Sequence, residues 1–128
     1  MDSELQDCLF CSMGDHRIVA GNDLAFAIRD DYPVTEHHTL IIPRRHAVDY
    51  FGLTEEELIA IHSLIHSQRQ DLLNLDPTID GFNIGNNNGK VAGQSIFHCH
   101  IHLIPRRHSD VETPRGGIRH VIPGKGAY

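Results

Sequence analysis

The stretch "HCHIHLIPRR", from His98 to Arg107, places histidines at alternating positions and separates them with apolar residues. Successive side chains on a β-strand point to opposite faces of the sheet. A strand here would hold itself in a core through Cys99 and Ile101 and present imidazoles about 6.6 Å apart on its other face. The pattern predicts a half-buried strand with a row of histidines along a cleft.

A row of imidazoles suits two kinds of chemistry. One neutral ring can attack a phosphorus centre while its neighbours orient it, donate to phosphate oxygens or protonate the departing group. Three aligned histidines can also hold a metal ion. The strand alone does not decide between these uses, and an amphipathic strand with solvated histidines is a third interpretation.

Composition limits the architecture and the partners. The chain has 128 residues, 40% apolar and 22% charged, which suits one domain with its own core. We expect a single domain over residues 1–128, with a core at about 8–107 and an irregular tail at 108–128. The net charge of −6 disfavours nucleic acid as a partner. The sequence has no export signal and no run near the roughly 18 apolar residues of a membrane span, so we expect a cytoplasmic protein without membrane contact.

The distribution of turn and apolar residues predicts an α+β fold. Two short strands at 16–20 and 24–29 form a hairpin, and later strands follow in "HTLIIPRRH", "GFNIG" and "SIFHCHIHLIP". Thr54 with Glu57 forms a capping box that begins a long helix, which Pro77 ends. An antiparallel sheet with one helix would bury one face and leave the other available.

The pair Cys8 and Cys11 forms a C-x-x-C motif in a chain with three cysteines. An odd number without an export signal argues against a disulfide framework. The pair alone fits a redox dithiol, two buried thiols or half of a zinc site, because structural zinc takes four ligands.

These motifs resemble those of the histidine triad superfamily, whose signature is His-φ-His-φ-His-φ-φ with φ apolar. The segment "HCHIHLI" carries the signature with a cysteine as the first φ. The similarity extends to "LAFAIRDDYPVTEHHTLIIPRRH" and "NNNGKVAGQSIFHCHIHLIPRR", and so spans roughly residues 8–107. The resemblance implies a five-stranded antiparallel sheet with one long helix, usually paired as a two-fold homodimer.

The resemblance also implies a mechanism. His100 would attack the α-phosphorus of a nucleotide and form a nucleotidyl-histidine that water hydrolyses, with His98 beside it in the triad. His102 would contact the phosphate and the leaving group, and histidine at this position favours hydrolysis over the transferase chemistry of relatives with glutamine. A fourth histidine packs behind the triad; both His37 and His38 are available, and the strand register favours His38.

Substrate contacts follow from the same comparison. The glycine-rich loop before the last strand suits an anion, because glycine lets the backbone approach closely and its neighbours supply donors. The resemblance assigns Asp30 to the ribose hydroxyls, and Asp31 stands where relatives carry an apolar residue. The expected phosphate-loop residues are Asn87, Gly93, Gln94 and Ser95, and the expected nucleoside walls are Leu9, Phe10 and Phe26.

Family members with the C-x-x-C pair complete a zinc site with two histidines. The corresponding positions here are His46, at the end of "IIPRRH", and His98. The resemblance therefore implies a structural zinc held by Cys8, Cys11, His46 and His98. Such a metal would fix His98 and so aim His100.

The leading expectation is a zinc-containing nucleotide hydrolase that cleaves a dinucleoside polyphosphate at its α-phosphate. Candidate ligands for a longer phosphate chain are Arg106, Arg107, Arg115 and Arg119. One alternative is a purine nucleoside phosphoramidase, which releases an amine from AMP. Another is a zinc-stabilised nucleotide-binding module without turnover, for which the full triad would not be required.

Overall fold

Five antiparallel strands form one sheet in the order β1-β2-β3-β5-β4, which confirms the predicted α+β fold. The computed structural model describes residues 8–128. The strands are β1 (Ile18–Gly21), β2 (Ala25–Arg29), β3 (Thr39–Pro43), β4 (Ile79–Gly85) and β5 (Ile101–Arg107), and the α-helices are α1 (Leu9–Ser12) and α2 (Glu55–Leu75). Among the described residues, no helix is both long and apolar enough to cross a bilayer.

The sheet is buried on both faces at its centre, because β2 and β3 alternate between two apolar clusters. The cluster on the α2 side contains Ala25, Ala27, Ile41, Ile61, Leu64, Cys99 and Ile101. The cluster on the opposite side contains Cys8, Phe10, Phe26, Ile28, Leu40 and Ile42. The segment with the cysteine pair therefore closes the face that α2 leaves open. Phe26 lies in this cluster as a core residue rather than as an expected nucleoside wall.

The capping box that predicts α2 is present and also fixes the chain before the helix. The Thr54 side chain accepts from the Glu57 backbone N–H at 3.1 Å, and Glu57 accepts from the Thr54 N–H at 2.9 Å. Arg45 donates to both oxygens of the same buried carboxylate, at 2.8 and 3.1 Å. Hydrogen bonding to Arg45 lowers the pKa of Glu57 and keeps it charged. The first turn of α2 is thus hydrogen-bonded to Arg45, the residue before His46.

The buried stripe of α2 runs through Ile61, Leu64 and Leu72. The last strand differs from the sequence expectation. The strand β5 begins at Ile101 and continues past Pro105 to Arg107. Because β3 pairs with β5 only as far as Leu103, that side of β5 tolerates a proline without an N–H donor.

Removal of the cap tests the tie between α2 and the preceding loop. We predict that Thr54→Ala lowers the free energy of unfolding by about 1 kcal/mol, because the Glu57 N–H loses its acceptor. Urea unfolding monitored by circular dichroism measures this change. Thr54→Ser, which keeps the hydroxyl, is the control and should stay close to the wild type; an equal loss in both variants would contradict a capping role.

Candidate active site and zinc site

A cleft of about 410 Å³ opens on the sheet face opposite α2 and contains most of the predicted site. The pairing of β3 with β5 places His102 opposite Leu40, and both residues line the cleft. The predicted residues that line it are Leu9, Phe10, Asp30, Asp31, His38, Asn87, Gly93, Ser95, His100 and His102. The predicted triad residue His98, the predicted loop residue Gln94 and the predicted nucleoside wall Phe26 do not line it.

The rings of His38 and His102 form a hydrogen-bonded pair whose proton positions follow from their partners. The backbone N–H of Val34 donates to His38 Nδ1 at 3.2 Å, so a neutral His38 carries its proton on Nε2. That nitrogen lies 2.9 Å from His102 Nδ1 and 3.5 Å from an oxygen of Asp30. His102 therefore accepts at Nδ1 and carries its own proton on Nε2.

The ring of His100 has the opposite tautomer. Its Nδ1 lies 2.8 Å from the backbone carbonyl oxygen of His98, and a carbonyl oxygen only accepts, so Nδ1 carries the proton. Nε2 of a neutral His100 consequently keeps a lone pair. Phe10 packs edge-on against this ring, with the ring centroids 5.2 Å apart, which restricts the orientation of His100.

Burial keeps the histidine pair neutral near pH 7. Burial, followed by the neighbouring rings of His100 and His38, lowers the pKa of His102 to about 4. Burial also lowers the pKa of His38, and the charge of Asp30 opposes that shift without reversing it. Near pH 7 the pair therefore acts through neutral hydrogen-bond donors and acceptors.

Asp30, His38 and His102 lie close enough to hold a metal ion, with their ligating atoms within 4.8 Å of one another. A metal there would need the lone pair of His38 Nε2. The N–H of Val34 already uses the lone pair on His38 Nδ1, and a neutral imidazole has only one unprotonated nitrogen. The hydrogen bonds therefore favour a proton relay at this position over a metal site.

The structure places His38, and not His37, against the triad. His38 is 3% exposed and faces the cleft. His37 has a φ of 72°, in the left-handed region that favours glycine, and its ring lies near Glu36 and Asp76. A glycine would adopt this backbone conformation without the strain that a histidine bears.

A second cluster brings together the four predicted zinc ligands, whose ligating atoms lie within 4.8 Å of one another. Nδ1 of His98 is 3.4 Å from each cysteine sulfur, and Nδ1 of His46 is 3.3 Å from Cys11 Sγ. A tetrahedral zinc with ordinary bond lengths separates sulfur and nitrogen ligands by roughly 3.5 Å. The donor set and the spacing therefore fit zinc.

His98 is oriented for metal binding and not for contact with substrate. Its Nε2 lies 2.8 Å from the Pro43 carbonyl oxygen, so Nε2 donates and Nδ1 faces the cysteine pair with a lone pair. The ring is 1% exposed. The predicted row of three cleft-facing imidazoles is thus wrong for His98. Of the three, only His100 and His102 reach the cleft, because His98 precedes β5, which begins at Ile101, and its ring turns towards the end of β3.

The glycine-rich loop has the backbone shape that the sequence suggests. Gly89 and Gly93 have φ values of 94° and 96°, which other residues adopt with strain. Gln94 differs from the expectation, because its side chain braces the loop: it accepts from the Gly89 N–H at 2.8 Å and donates to the Val48 carbonyl at 2.6 Å. Gln94 is 4% exposed and holds the loop from inside, so its amide does not face a ligand.

Sequence reasoning missed several cleft residues. Arg17 donates to Asp31 at 2.8 Å and to the Arg29 carbonyl at 2.9 Å, so the unexpected carboxylate at position 31 has a cation beside it. The signal available in the sequence for this ion pair was the opposite charges of Arg17 and Asp31, near the two ends of the predicted hairpin. The further cleft residues are Met13, Arg17, Ile28, Tyr32, Val34, Leu40 and Ile96.

The arginines proposed for a phosphate chain do not line the cleft. Arg106 pairs with Asp110 at 2.7 Å, and Arg107 pairs with Asp76 at 2.8 Å. Arg115 and Arg119 lie over the ring of Tyr128, at 4.6 and 4.8 Å from its centroid. Arg107 thus ties the end of β5 to the residue after α2, and Arg115 and Arg119 pack on Tyr128.

An antiparallel sheet with paired imidazoles beside a Cys2His2 cluster defines a histidine triad protein, and comparison with known proteins agrees. The HIT domain family matches residues 13–109. A HIT-like protein of Mycoplasma genitalium is 37% identical over 113 residues, covering 85% of this chain and 77% of that protein. The chain belongs to the HIT family.

Two solved structures resemble the fold. A zinc-bound histidine triad family protein from Mycobacterium smegmatis has a TM-score of 0.75 and 31% identity, with 85% of this chain and 81% of that chain covered. Plasmodium falciparum diadenosine triphosphate hydrolase has a TM-score of 0.71 and 29% identity, with 79% of this chain and 68% of that chain covered.

Elemental analysis tests the metal cluster. We predict that the purified protein carries about one zinc per chain and that Cys11→Ser loses most of it, because a hydroxyl is a poor replacement for a thiolate ligand. Cys99→Ala is the control, since Cys99 lies outside the cluster. Equal zinc content in Cys11→Ser and the wild type would contradict the assignment.

The low pKa of His102 predicts a pH dependence of stability. As the pH falls from 6.5 towards 4, an unfolded His102 binds a proton while the folded one, whose pKa is about 4, does not, so stability decreases with falling pH. Chemical unfolding at several pH values measures the slope. His102→Gln should reduce the slope, though only in part, because the pKa of His38 is also lowered; an unchanged slope would argue against a neutral His102.

Proposed function

We propose that the protein is a nucleotide hydrolase that forms a covalent nucleotidyl intermediate on His100. The observation that carries the proposal is the pair of opposite tautomers in the cleft. The hydrogen bond from His100 Nδ1 to the His98 carbonyl leaves a lone pair on His100 Nε2, and the His38–His102 hydrogen bond leaves a proton on His102 Nε2. A nucleophile and a proton donor thus share one cleft.

In the first step, His100 Nε2 attacks the α-phosphorus and forms a P–N bond while the bond from phosphorus to the leaving group breaks. The leaving group takes the electron pair, accepts a hydrogen bond from His102 Nε2–H and is protonated by solvent. The His38 Nε2–H donates to His102 Nδ1 at 2.9 Å and so keeps the Nε2–H of His102 directed into the cleft.

In the second step, a water molecule attacks the same phosphorus and the P–N bond breaks. The attacking water releases its proton to solvent, and His102 keeps its Nε2 proton in both steps. His100 is released with its lone pair, and the product is a nucleoside monophosphate. The net reaction consumes one water and cleaves one bond at the α-phosphate.

The cleft walls fit the parts of a nucleotide. The hydroxyl of Ser95 and the side-chain amide of Asn87, which both line the cleft, suit the α-phosphate oxygens. The carboxylate of Asp30 suits ribose hydroxyls because it only accepts. Leu9 and Phe10 supply apolar surface for the base, and the Arg17–Asp31 ion pair lines the same cleft.

The Cys2His2 cluster would hold a structural zinc through Cys8, Cys11, His46 and His98, and a bound zinc would supply rigidity without entering the reaction. The cluster fixes His98, whose carbonyl oxygen sets the tautomer of His100. Phe10, between the two cysteines, packs against both rings at 5.7 and 5.2 Å. The residues of this site would therefore affect His100 only by holding its ring in place.

We also propose a two-fold dimer through the edge strand β4. This strand lies at one end of the sheet, and the groove between it and α2 is lined by apolar residues that include Ile59 and Ile84, 69% and 52% exposed. A second copy would cover this surface and pair the free edge, which isolated chains seldom leave exposed.

A dinucleoside polyphosphate is the preferred substrate class of this proposal, and a nucleoside phosphoramidate is the second candidate. The alternative to an enzyme is a nucleotide-binding module without turnover. Such a module would bind the nucleotide in the same cleft but would not need His100.

Turnover of two substrates tests the proposal. We predict that the wild type hydrolyses diadenosine tetraphosphate and adenosine 5′-phosphoramidate, and that His100→Ala lowers kcat at least 1,000-fold, roughly the loss seen when a nucleophile is removed. His108→Ala, an exposed histidine after β5, is the matched control and should retain activity.

Equilibrium binding of AMP separates loss of chemistry from loss of the pocket. His100→Ala should bind AMP with an affinity close to that of the wild type. Equal turnover by His100→Ala and the wild type would remove His100 as the nucleophile. Binding of AMP by the wild type without turnover of either substrate would favour the binding module.

A further inference from the structure

A second cavity, of about 610 Å³, adjoins the cleft and shares three walls with it. The shared residues are Leu9, Ser95 and Ile96. Beyond them the second cavity continues over Val48 and Phe97 and reaches the zinc ligands Cys8 and His46 at one end. We call it the outer cavity. The outer cavity and the cleft therefore meet at the residues that flank the phosphate position.

The zinc site alone does not account for the outer cavity. The four ligating atoms of that site lie within 4.8 Å of one another, which leaves room for a single ion at one end. The rest of the outer cavity has apolar walls that are open to solvent: Leu9 is 64%, Val48 48% and Phe97 47% exposed. Apolar surface concentrated in a concavity is typical of a ligand site.

The chemistry of the walls selects the kind of ligand. Among residues 8–128, which the structure describes, no Lys, Arg, Asp or Glu lines the outer cavity, so these walls are poorly suited to phosphate groups. Phe97 offers an exposed aromatic face, and Val48 and Leu9 offer aliphatic contact. A flat, uncharged heterocycle such as a nucleobase fits these walls, because bases stack on aromatic side chains.

The position of the outer cavity relates it to the leaving group. His100 lines the cleft and not the outer cavity, whereas Ser95 lines both. A group that is joined to the α-phosphate and directed across Ser95 would enter the outer cavity. A short polyphosphate bridge would lie at the shared wall, and the second base would reach Phe97.

We propose that the outer cavity is the subsite for the leaving nucleoside of a dinucleoside polyphosphate, with its base stacked on Phe97. The inference rests on the proposed function and deepens it, because it names the leaving-group class that the cleft alone leaves open. An amine or other small leaving group makes no use of Phe97.

The test compares two substrates that share an AMP half. For Phe97→Ala, we expect the KM for diadenosine tetraphosphate to rise roughly tenfold, within the range that base–aromatic stacking supplies, and the KM for adenosine 5′-phosphoramidate to stay unchanged. Phe97→Trp should keep or lower the KM for the dinucleotide, since the larger ring stacks as well or better. Phe51→Ala, which removes another exposed phenylalanine outside both cavities, is the matched control.

The outcomes separate the subsite from the function. If the wild type and Phe97→Ala show the same KM for diadenosine tetraphosphate while both need His100, the function stands and the subsite is wrong. An equal rise of KM for both substrates would also overturn the subsite, because it would place Phe97 in the AMP half. If the wild type hydrolyses neither substrate, the proposed function fails, and the leaving-group subsite fails with it. Thermal unfolding of each variant verifies that the fold is retained.

Discussion

The ring of His98 is the constraint on which the rest of the site depends. It donates to the Pro43 carbonyl at the end of β3 and turns its other nitrogen to the two cysteine sulfurs. One buried side chain thereby joins the sheet, the N-terminal helix α1 and the segment before β5. Its own carbonyl oxygen then accepts from His100. The orientation of the proposed nucleophile is therefore a consequence of how His98 is held.

Backbone groups, and not the histidines themselves, decide which imidazole nitrogens carry protons in the cleft. The Val34 N–H fixes the tautomer of His38, and the His98 carbonyl fixes that of His100. Because both are part of the polypeptide, neither can titrate near neutral pH. An arrangement of four imidazoles has many possible protonation patterns, and these two contacts select the one in which a lone pair and a proton face the same cleft.

The sequence predicted the elements and the residue types of the site better than their orientations. Alternation around Ile101 and Leu103, the Thr54 capping box and the C-x-x-C pair each have a local physical cause, and each appears in the fold. Strand alternation was extended too far, to His98, because the orientation of this ring depends on a contact with Pro43, 55 positions away. The inward turn of Gln94 and the Arg17–Asp31 pair are likewise tertiary contacts that spacing along the chain does not encode.

The short helix α1 gives the metal cluster a second consequence. Cys8 and Cys11 bracket Leu9 and Phe10, so the bonds that hold the cysteines also position two walls of the cleft, and Leu9 is a wall of the outer cavity as well. A four-residue helix has too few internal hydrogen bonds to keep this geometry alone. Zinc and nucleotide would then stabilise the same arrangement of α1, and by thermodynamic linkage each would raise the affinity for the other. On this argument the cluster contributes to substrate binding as much as to the alignment of His100.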